Sequence, residues 1–252
     1  MHRFYLPPEA CHTDRLALSG REAHHATNVL RIRPRERVVV LNGAGDEFLC
    51  EVEKADRRDV TLRVVQKNAI RPLPYQITLA QAVPRGKTME LIVQKATELG
   101  THRIVPILSE RTIAQLESDN GANKIEKWEG TAIEAIKQCG SAWLPRLEQP
   151  LKPQSFLSRS ERFELSLIAS LQGDARHPRE HLQTFVAERG RLPASVCIWI
   201  GPEGDFTPAE VNAVRATGAL PITLGQLVLR SETAAIYCLS VINYELQAPP
   251  QK

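Results

Sequence analysis

The apolar positions of this chain follow two rhythms. In residues 36–66 they come in short runs and alternations: Arg37-Val38-Val39-Val40-Leu41, Phe48-Leu49-Cys50-Glu51-Val52-Glu53 and Val60-Thr61-Leu62-Arg63-Val64-Val65. Period-two alternation puts every second side chain on one face and predicts half-buried strands. Asn42-Gly43-Ala44-Gly45-Asp46 and Asp56-Arg57-Arg58-Asp59 separate these runs as turns. Short strands at this spacing predict a small β-barrel. Asn68-Ala69-Ile70-Arg71-Pro72-Leu73-Pro74 reads as a linker, which divides the chain into residues 1–72 and 73–252.

Beyond the linker, strand-like runs alternate with helical patterns. The runs are Ile77–Val83, Arg103–Leu108, Phe163–Ala169, Val196–Ile200 and Pro221–Leu224. Between them, Thr88–Leu99 carries apolar residues at Met89, Ile92, Val93, Ala96 and Leu99, a helical spacing closed by Gly100 as a C-cap. Lys124–Cys139, Arg179–Ala187 and Glu232–Leu246 are further helices. Thr207-Pro208-Ala209-Glu210 opens another, which runs to Gly218. Thr is the cap, Pro takes the first helical position, and Glu completes the capping box. The alternation predicts an α/β domain whose mostly parallel sheet has helices on both faces.

Two glycine-bearing turns follow apolar runs and precede helices in this second part: Ile200-Gly201-Pro202-Glu203-Gly204-Asp205-Phe206-Thr207, and Leu224-Gly225-Gln226-Leu227-Val228-Leu229-Arg230-Ser231-Glu232-Thr233-Ala234. In α/β proteins small ligands bind beyond the carboxyl ends of parallel strands, where glycine leaves backbone groups accessible. The two turns therefore predict one pocket with two walls. Glu203 offers a carboxylate there; as a plain strand-to-helix turn the segment would need no ligand. Arg230 and Glu232 put a cation and a carboxylate at a helix start. Glu232 also suits the helix dipole, and Ser231 reads as an N-cap.

Composition narrows the classes. Of 252 residues, 42% are hydrophobic and 24% charged, an ordinary globular balance. No apolar stretch is long enough to span a membrane, and Met1-His2-Arg3-Phe4-Tyr5 lacks a signal-peptide core, so a cytoplasmic protein is expected. Cys11, Cys50, Cys139, Cys197 and Cys238 are odd in number and widely spaced, which speaks against a disulfide framework or a zinc site. Cys197 and Cys238 sit in apolar patterns and read as core. The formal net charge of +3 falls within residues 1–72, a basic module suited to a polyanion. Arg31, Arg33, Arg35 and Arg37 alternate; in an extended segment they form one basic stripe for phosphates, or a charged, protected edge. His24-His25 precedes them in a helical segment. Gly86-Lys87-Thr88 follows a strand and opens a helix as a phosphate-binding loop does. That loop needs a glycine five residues earlier, where Gln81 stands.

Taken together, these blocks resemble the bacterial small-subunit ribosomal RNA methyltransferases that form N3-methyluridine, the RsmE family within the knotted SPOUT class. The likeness runs over nearly the whole chain. It includes His24-His25-x-x-Asn28-Val29-Leu30-Arg31, Gln94-Lys95-Ala96-Thr97-Glu98-Leu99-Gly100, Trp128, Glu134-Ala135, Gln138-Cys139 and, most specifically, the two C-terminal turns. The resemblance implies an N-terminal PUA-like barrel that binds RNA, followed by an α/β domain with a trefoil knot. It implies a homodimer that uses S-adenosylmethionine on 16S rRNA or the small ribosomal subunit, with no metal. By that likeness Leu171, Ile200, Gly201, Pro202, Glu203, Gly204, Leu224, Gly225, Leu229, Arg230, Thr233 and Ala234 hold the cofactor. His24, Arg31, Arg33, Lys87, Lys95 and Arg111 are the expected RNA contacts. Three positions depart from the family pattern: Asp205 stands for a glycine, Leu227 for an arginine, and Ser141 for an arginine after Gly140.

The implied reaction moves a methyl group from a sulfonium to N3 of uridine, which carries a proton that must be removed. Arg230 is the candidate for stabilising charge on the uracil oxygens, with Glu203 or Glu232 as base or cofactor ligand. Two competing readings are a non-catalytic rRNA-binding or assembly protein that keeps the fold, and a phosphate-binding hydrolase built on Gly86-Lys87-Thr88.

Overall fold

The computed structural model describes residues 1–56, 58–112, 121–171 and 174–247, with backbone only at 121–123. Arg57, in one of the expected turns, lies outside them. The described chain forms two compact units. The first is Met1–Pro72 with Ile133–Leu144; the second comprises the described parts of Leu73–Ala132 and Pro145–Lys252.

The first unit holds β1 (Arg3–Tyr5), β2 (Arg15–Ser19), α1 (Gly20–His24) continued by a π-turn over His25–Val29, β3 (Arg37–Leu41), β4 (Asp46–Ala55) and β5 (Asp59–Ala69). They make one sheet in the order β1-β3-β4-β5-β2, antiparallel except for the β1–β3 pair. The β4–β5 register shifts between Leu49 and Cys50 and again between Val52 and Lys54. Such bulges bend a ladder and raise its twist, and this sheet curls over its own core of Phe4, Leu16, Leu18, Val38, Val40, Phe48 and Leu62. Among the described residues the edges β1 and β2 do not pair, so the small barrel that strand spacing predicts takes the form of a curled half-barrel. Lys137 is buried in this unit, with Glu22 at 2.7 Å and Glu134 at 2.9 Å to balance its charge.

One element differs from the sequence reading. Residues 31–36 are not extended: β3 begins only at Arg37, and Arg31 and Arg35 have φ of +53° and +73°. Left-handed residues on either side of Pro34 turn the chain, so the four arginines do not share a strand face.

The second unit contains β6 (Gln76–Ala82), α2 (Thr88–Glu98), β7 (Arg103–Ile107), α3 (Gly121–Cys139, whose last residues belong to the first unit), β8 (Arg146–Leu147) and α4 (Pro153–Leu157). It continues with β9 (Leu165–Ala169), α5 (Pro178–Arg189), β10 (Ser195–Ile200), α6 (Pro208–Ala216), β11 (Leu220–Ile222) and α7 (Ser231–Gln247). The sheet is wholly parallel, in the order β11-β9-β10-β6-β7-β8. Its central strands are buried on both faces, as parallel strands covered by helices must be, and so read as continuous apolar runs. The α2 face bearing Met89, Ile92, Val93 and Ala96 is buried, and Gly100 ends that helix at φ +74°. At α6 the capping box is complete: Thr207 Oγ1 accepts from Glu210 N, and Glu210 Oε2 accepts from Thr207 N. Among the described residues no helix is long and apolar enough to cross a membrane.

Candidate functional site

Strands β9, β10 and β11 lie side by side and point the same way, so their carboxyl ends release three loops at one edge of the sheet. A cavity of about 320 Å³ opens between Ala169–Leu171, Ile200–Glu203 with Asp205, and Ile222–Leu229. Ser231 and Ala234 of α7 close it. It lies where ligands bind in open α/β sheets.

The first glycine turn is held from several sides. Asp205 N donates to Pro202 O at 2.9 Å and closes the turn. Arg85 N donates to Glu203 Oε1 at 3.0 Å. The Arg111 guanidinium donates to the carbonyls of Gly204 and, at 3.4 Å, Asp205. Ser231 Oγ donates to Gly201 O at 2.7 Å. Asp205, which replaces a glycine of the family pattern, sits at φ +59°. It tolerates that conformation because its own Oδ1 accepts from Phe206 N at 2.8 Å. Glu210 reaches back as well, with Oε1 accepting from Glu110 N at 2.9 Å. The loop after β7 is thereby tied to the start of α6.

Nine of the residues expected to hold the cofactor line the cavity: Leu171, Ile200, Gly201, Pro202, Glu203, Leu224, Gly225, Leu229 and Ala234. Gly204, Arg230 and Thr233 do not, and neither does Glu232. Arg230 is exposed between two wall residues, Leu229 and Ser231. Thr233 is exposed and Glu232 half-buried on the first turn of α7. The walls also include Ser170, Asp205, Thr223, Gln226, Leu227 and Val228, none of them among the twelve residues expected to hold the cofactor, although Asp205, Gln226, Leu227 and Val228 belong to the two glycine turns. Ser231 is not an N-cap. It is the first residue of α7, and its hydroxyl serves Gly201 O instead.

The expected RNA contacts fall in both units. His24, Arg31 and Arg33 are exposed in the first. In the second, Lys87 is exposed beside the loop after β6. Lys95 is half-buried, with Nζ 2.8 Å from Glu98 Oε2, and Arg111 braces the glycine turn. Lys95 and Arg111 therefore each have an internal partner as well. Arg85 N is bound to Glu203, so Gly86-Lys87-Thr88 lacks one backbone donor of a phosphate cradle.

All five cysteines are free thiols, and four are buried. Burial pushes the Cys50 and Cys238 thiols up to about 12 and raises Cys197 further. Among the described residues no group of His, Cys, Asp or Glu is arranged for a metal ion.

Residues 71–243 match the model of an RNA methyltransferase domain, and residues 18–65 that of an RNA methyltransferase PUA domain. The ribosomal RNA small subunit methyltransferase E of Bacillus subtilis is 32% identical over 92% of this chain and 90% of its own length. A Legionella pneumophila methyltransferase, solved in complex with bound SAM, superposes with a TM-score of 0.86 at 33% identity. It covers 96% of this chain and 97% of that one. The ribosomal RNA small subunit methyltransferase E of Neisseria gonorrhoeae, bound to S-adenosyl methionine, superposes with a TM-score of 0.83 at 25% identity, covering 97% and 98%.

Proposed function

Because the chain belongs to the ribosomal RNA small subunit methyltransferase E family, we propose that it methylates N3 of a uridine in 16S rRNA, with S-adenosylmethionine as donor. The observation that carries this reading is the cavity at the ends of β9, β10 and β11, built from both glycine turns.

The cavity suits that donor by its own chemistry. Its volume is near the lower end of small-ligand sites, roughly 300–1,000 Å³. Ile200, Ile222 and Leu229 give apolar walls for a flat heteroaromatic ring, while Glu203 and Asp205 bring carboxylates for a cationic ligand. When bound, S-adenosylmethionine supplies an electrophilic methyl group. The protein's own task is at the base. Neutral uracil holds a proton on N3, and the ring becomes a competent nucleophile as that proton leaves. Arg230, exposed beside the cavity, is placed to stabilise charge developing on the uracil oxygens. Glu203 stands in the wall with one carboxylate oxygen accepting from Arg85 N, and Glu232 lies on the first turn of α7, next to the wall residue Ser231. Either is a base for the N3 proton. A uridine stacked in RNA has to be turned out to reach such a site. His24, Arg31, Arg33 and Lys87 are the exposed groups assigned to the RNA backbone.

Three further features belong to this reading. The second turn leaves β11 at the sheet edge and returns to place Ser231 against Gly201 of β10's loop, which supports a chain threaded as a trefoil knot. Leu227 and Val228 are 79% and 76% exposed, and a second copy of the chain covers them in a homodimer. The enzyme works in the cytoplasm, where ribosomes are built. Nucleoside mass spectrometry of 16S rRNA from cells with and without the gene tests the proposal. Loss of N3-methyluridine is the expected result; an unchanged nucleoside profile rejects it.

A further inference from the structure

We infer that Gln81 is a positioning residue for this site, acting through Ser231 to hold the two glycine turns in register. The inference rests on the reading of the cavity as the donor site. Gln81 is near the end of β6 and does not line the cavity. It is fully buried in a mostly apolar strand, between Ala80 and Ala82. Its Nε2 donates to Ser231 Oγ at 2.9 Å and to Ala82 O at 2.9 Å. Ser231 Oγ in turn donates to Gly201 O at 2.7 Å. One chain of hydrogen bonds therefore runs from the middle of the sheet through the start of α7 to the first glycine turn.

The direction of that chain is fixed. Ala82 O can only accept, so the amide nitrogen must face it. The hydroxyl proton goes to Gly201 O, so Ser231 receives the second amide proton on a lone pair. Gln81 Oε1 is buried without a partner. A buried unsatisfied amide oxygen is unfavourable, and a methionine would fill the same space without it. What glutamine adds is the pair of donors, and one of them sets the hydroxyl that grips Gly201. Because Ser231 directly follows Arg230, the same bonds fix where the exposed guanidinium leaves the backbone.

Three variants test this with calorimetric titration of S-adenosylmethionine between pH 5.5 and 8.5, beside thermal unfolding. Gln81→Met and Ser231→Ala each weaken donor binding about tenfold at every pH. Their double variant is little worse than either alone, because both break one chain. Gln81→Glu behaves differently. Its carboxyl is buried, so its pKa rises; protonated it retains one donor, and ionised it can only accept. The ionised form pulls the Ser231 proton away from Gly201 O. Binding by Gln81→Glu therefore recovers toward the wild-type value as pH falls, a trend that loss of packing would not produce. Ser231→Ala, at a site 4% exposed, serves where a Gln81 variant does not fold. If Ser231→Ala binds the donor like the wild type, or if Gln81→Glu shows the same loss at every pH, the relay is overturned and the cavity reading stands. If the wild-type protein itself does not bind the donor, the cavity reading falls and the relay falls with it.

Discussion

Gly201 and Gly204 occupy the same turn but tolerate a side chain very differently. A Cβ on Gly201 would lie 2.8 Å from Asp205 Oδ1, 3.2 Å from Phe206 N and 3.3 Å from Asp205 Cα. Two of those atoms are backbone, and the third is held by its bond to Phe206 N. The turn has to open by several tenths of an ångström, and the Ser231 bond to Gly201 O opens with it. Overpacking of this kind costs about 1–3 kcal/mol. Carried by the binding-competent turn, it weakens donor affinity about 5- to 150-fold. A Cβ on Gly204 meets only the Arg111 side chain, Cδ at 3.4 Å and Nη1 at 3.9 Å, both ordinary contacts. Calorimetry with S-adenosylmethionine on Gly201→Ala and Gly204→Ala therefore separates the two positions, with a large loss in the first and a change within about threefold in the second. Adding Asp205→Gly to Gly201→Ala removes the nearest contact and eases a φ of +59°, so part of the affinity returns. Wild-type affinity in Gly201→Ala, or equal losses at both glycines, would refute the argument that this turn is shaped by close approach.

Other consequences are simpler to measure. Arg230→Ala leaves donor affinity near the wild-type value and abolishes turnover, because the exposed guanidinium does not line the cavity; retained turnover in a methyl-transfer assay removes Arg230 from the chemistry. Thr207→Ala breaks the α6 capping box and lowers stability by about 1 kcal/mol, a fall in Tm of about 2–4 °C by scanning calorimetry. Thiol alkylation of the native protein modifies Cys139 first, since it alone of the five is exposed, while burial keeps Cys11, Cys50, Cys197 and Cys238 protonated and shielded. In the proposed homodimer Leu227 and Val228 are covered, so replacing both with Glu is expected to halve the mass seen by light scattering; a mass unchanged from the wild type argues against that face as a contact between copies.

How far the sequence carried the structure depends on the range of the forces involved. The α6 start was legible from Thr207, Pro208 and Glu210 because a capping box is made by neighbours within one turn. The parallel sheet was legible because its strands, buried on both faces, leave near-continuous apolar runs. Short elements were not: β1, β8 and α4, at two to five residues each, are too short to show a period, and the alternation of β2, with Leu16 and Leu18 buried, spans only five residues. Arg31–Arg37 misled because the alternation of arginines imitates a strand, whereas Pro34 and two left-handed arginines bend it. At the site, the two glycine turns contain eight of the nine expected residues that line the cavity, and the ninth, Leu171, was expected from the family likeness alone. The outward placement of Thr233 depends on the rotation of α7, and that of Arg230 on the turn just before it, neither of which a local pattern sets. Ser231 read as a cap because its partner Gly201 is 30 residues away. Gln81 carried a further signal: a buried amide in a doubly buried strand requires partners, and here one is the neighbouring Ala82 O while the other, Ser231, is 150 positions along the chain.

The central claim is that this chain transfers a methyl group to a uridine of 16S rRNA from the site at the ends of β9, β10 and β11. The most direct measurement is incorporation of labelled methyl from S-adenosylmethionine into small ribosomal subunits from cells lacking the gene, with the product nucleoside identified by mass spectrometry. Labelled N3-methyluridine is expected with the wild-type protein and none with Arg230→Ala. Donor binding without incorporation, or a label on any other nucleoside, would contradict it.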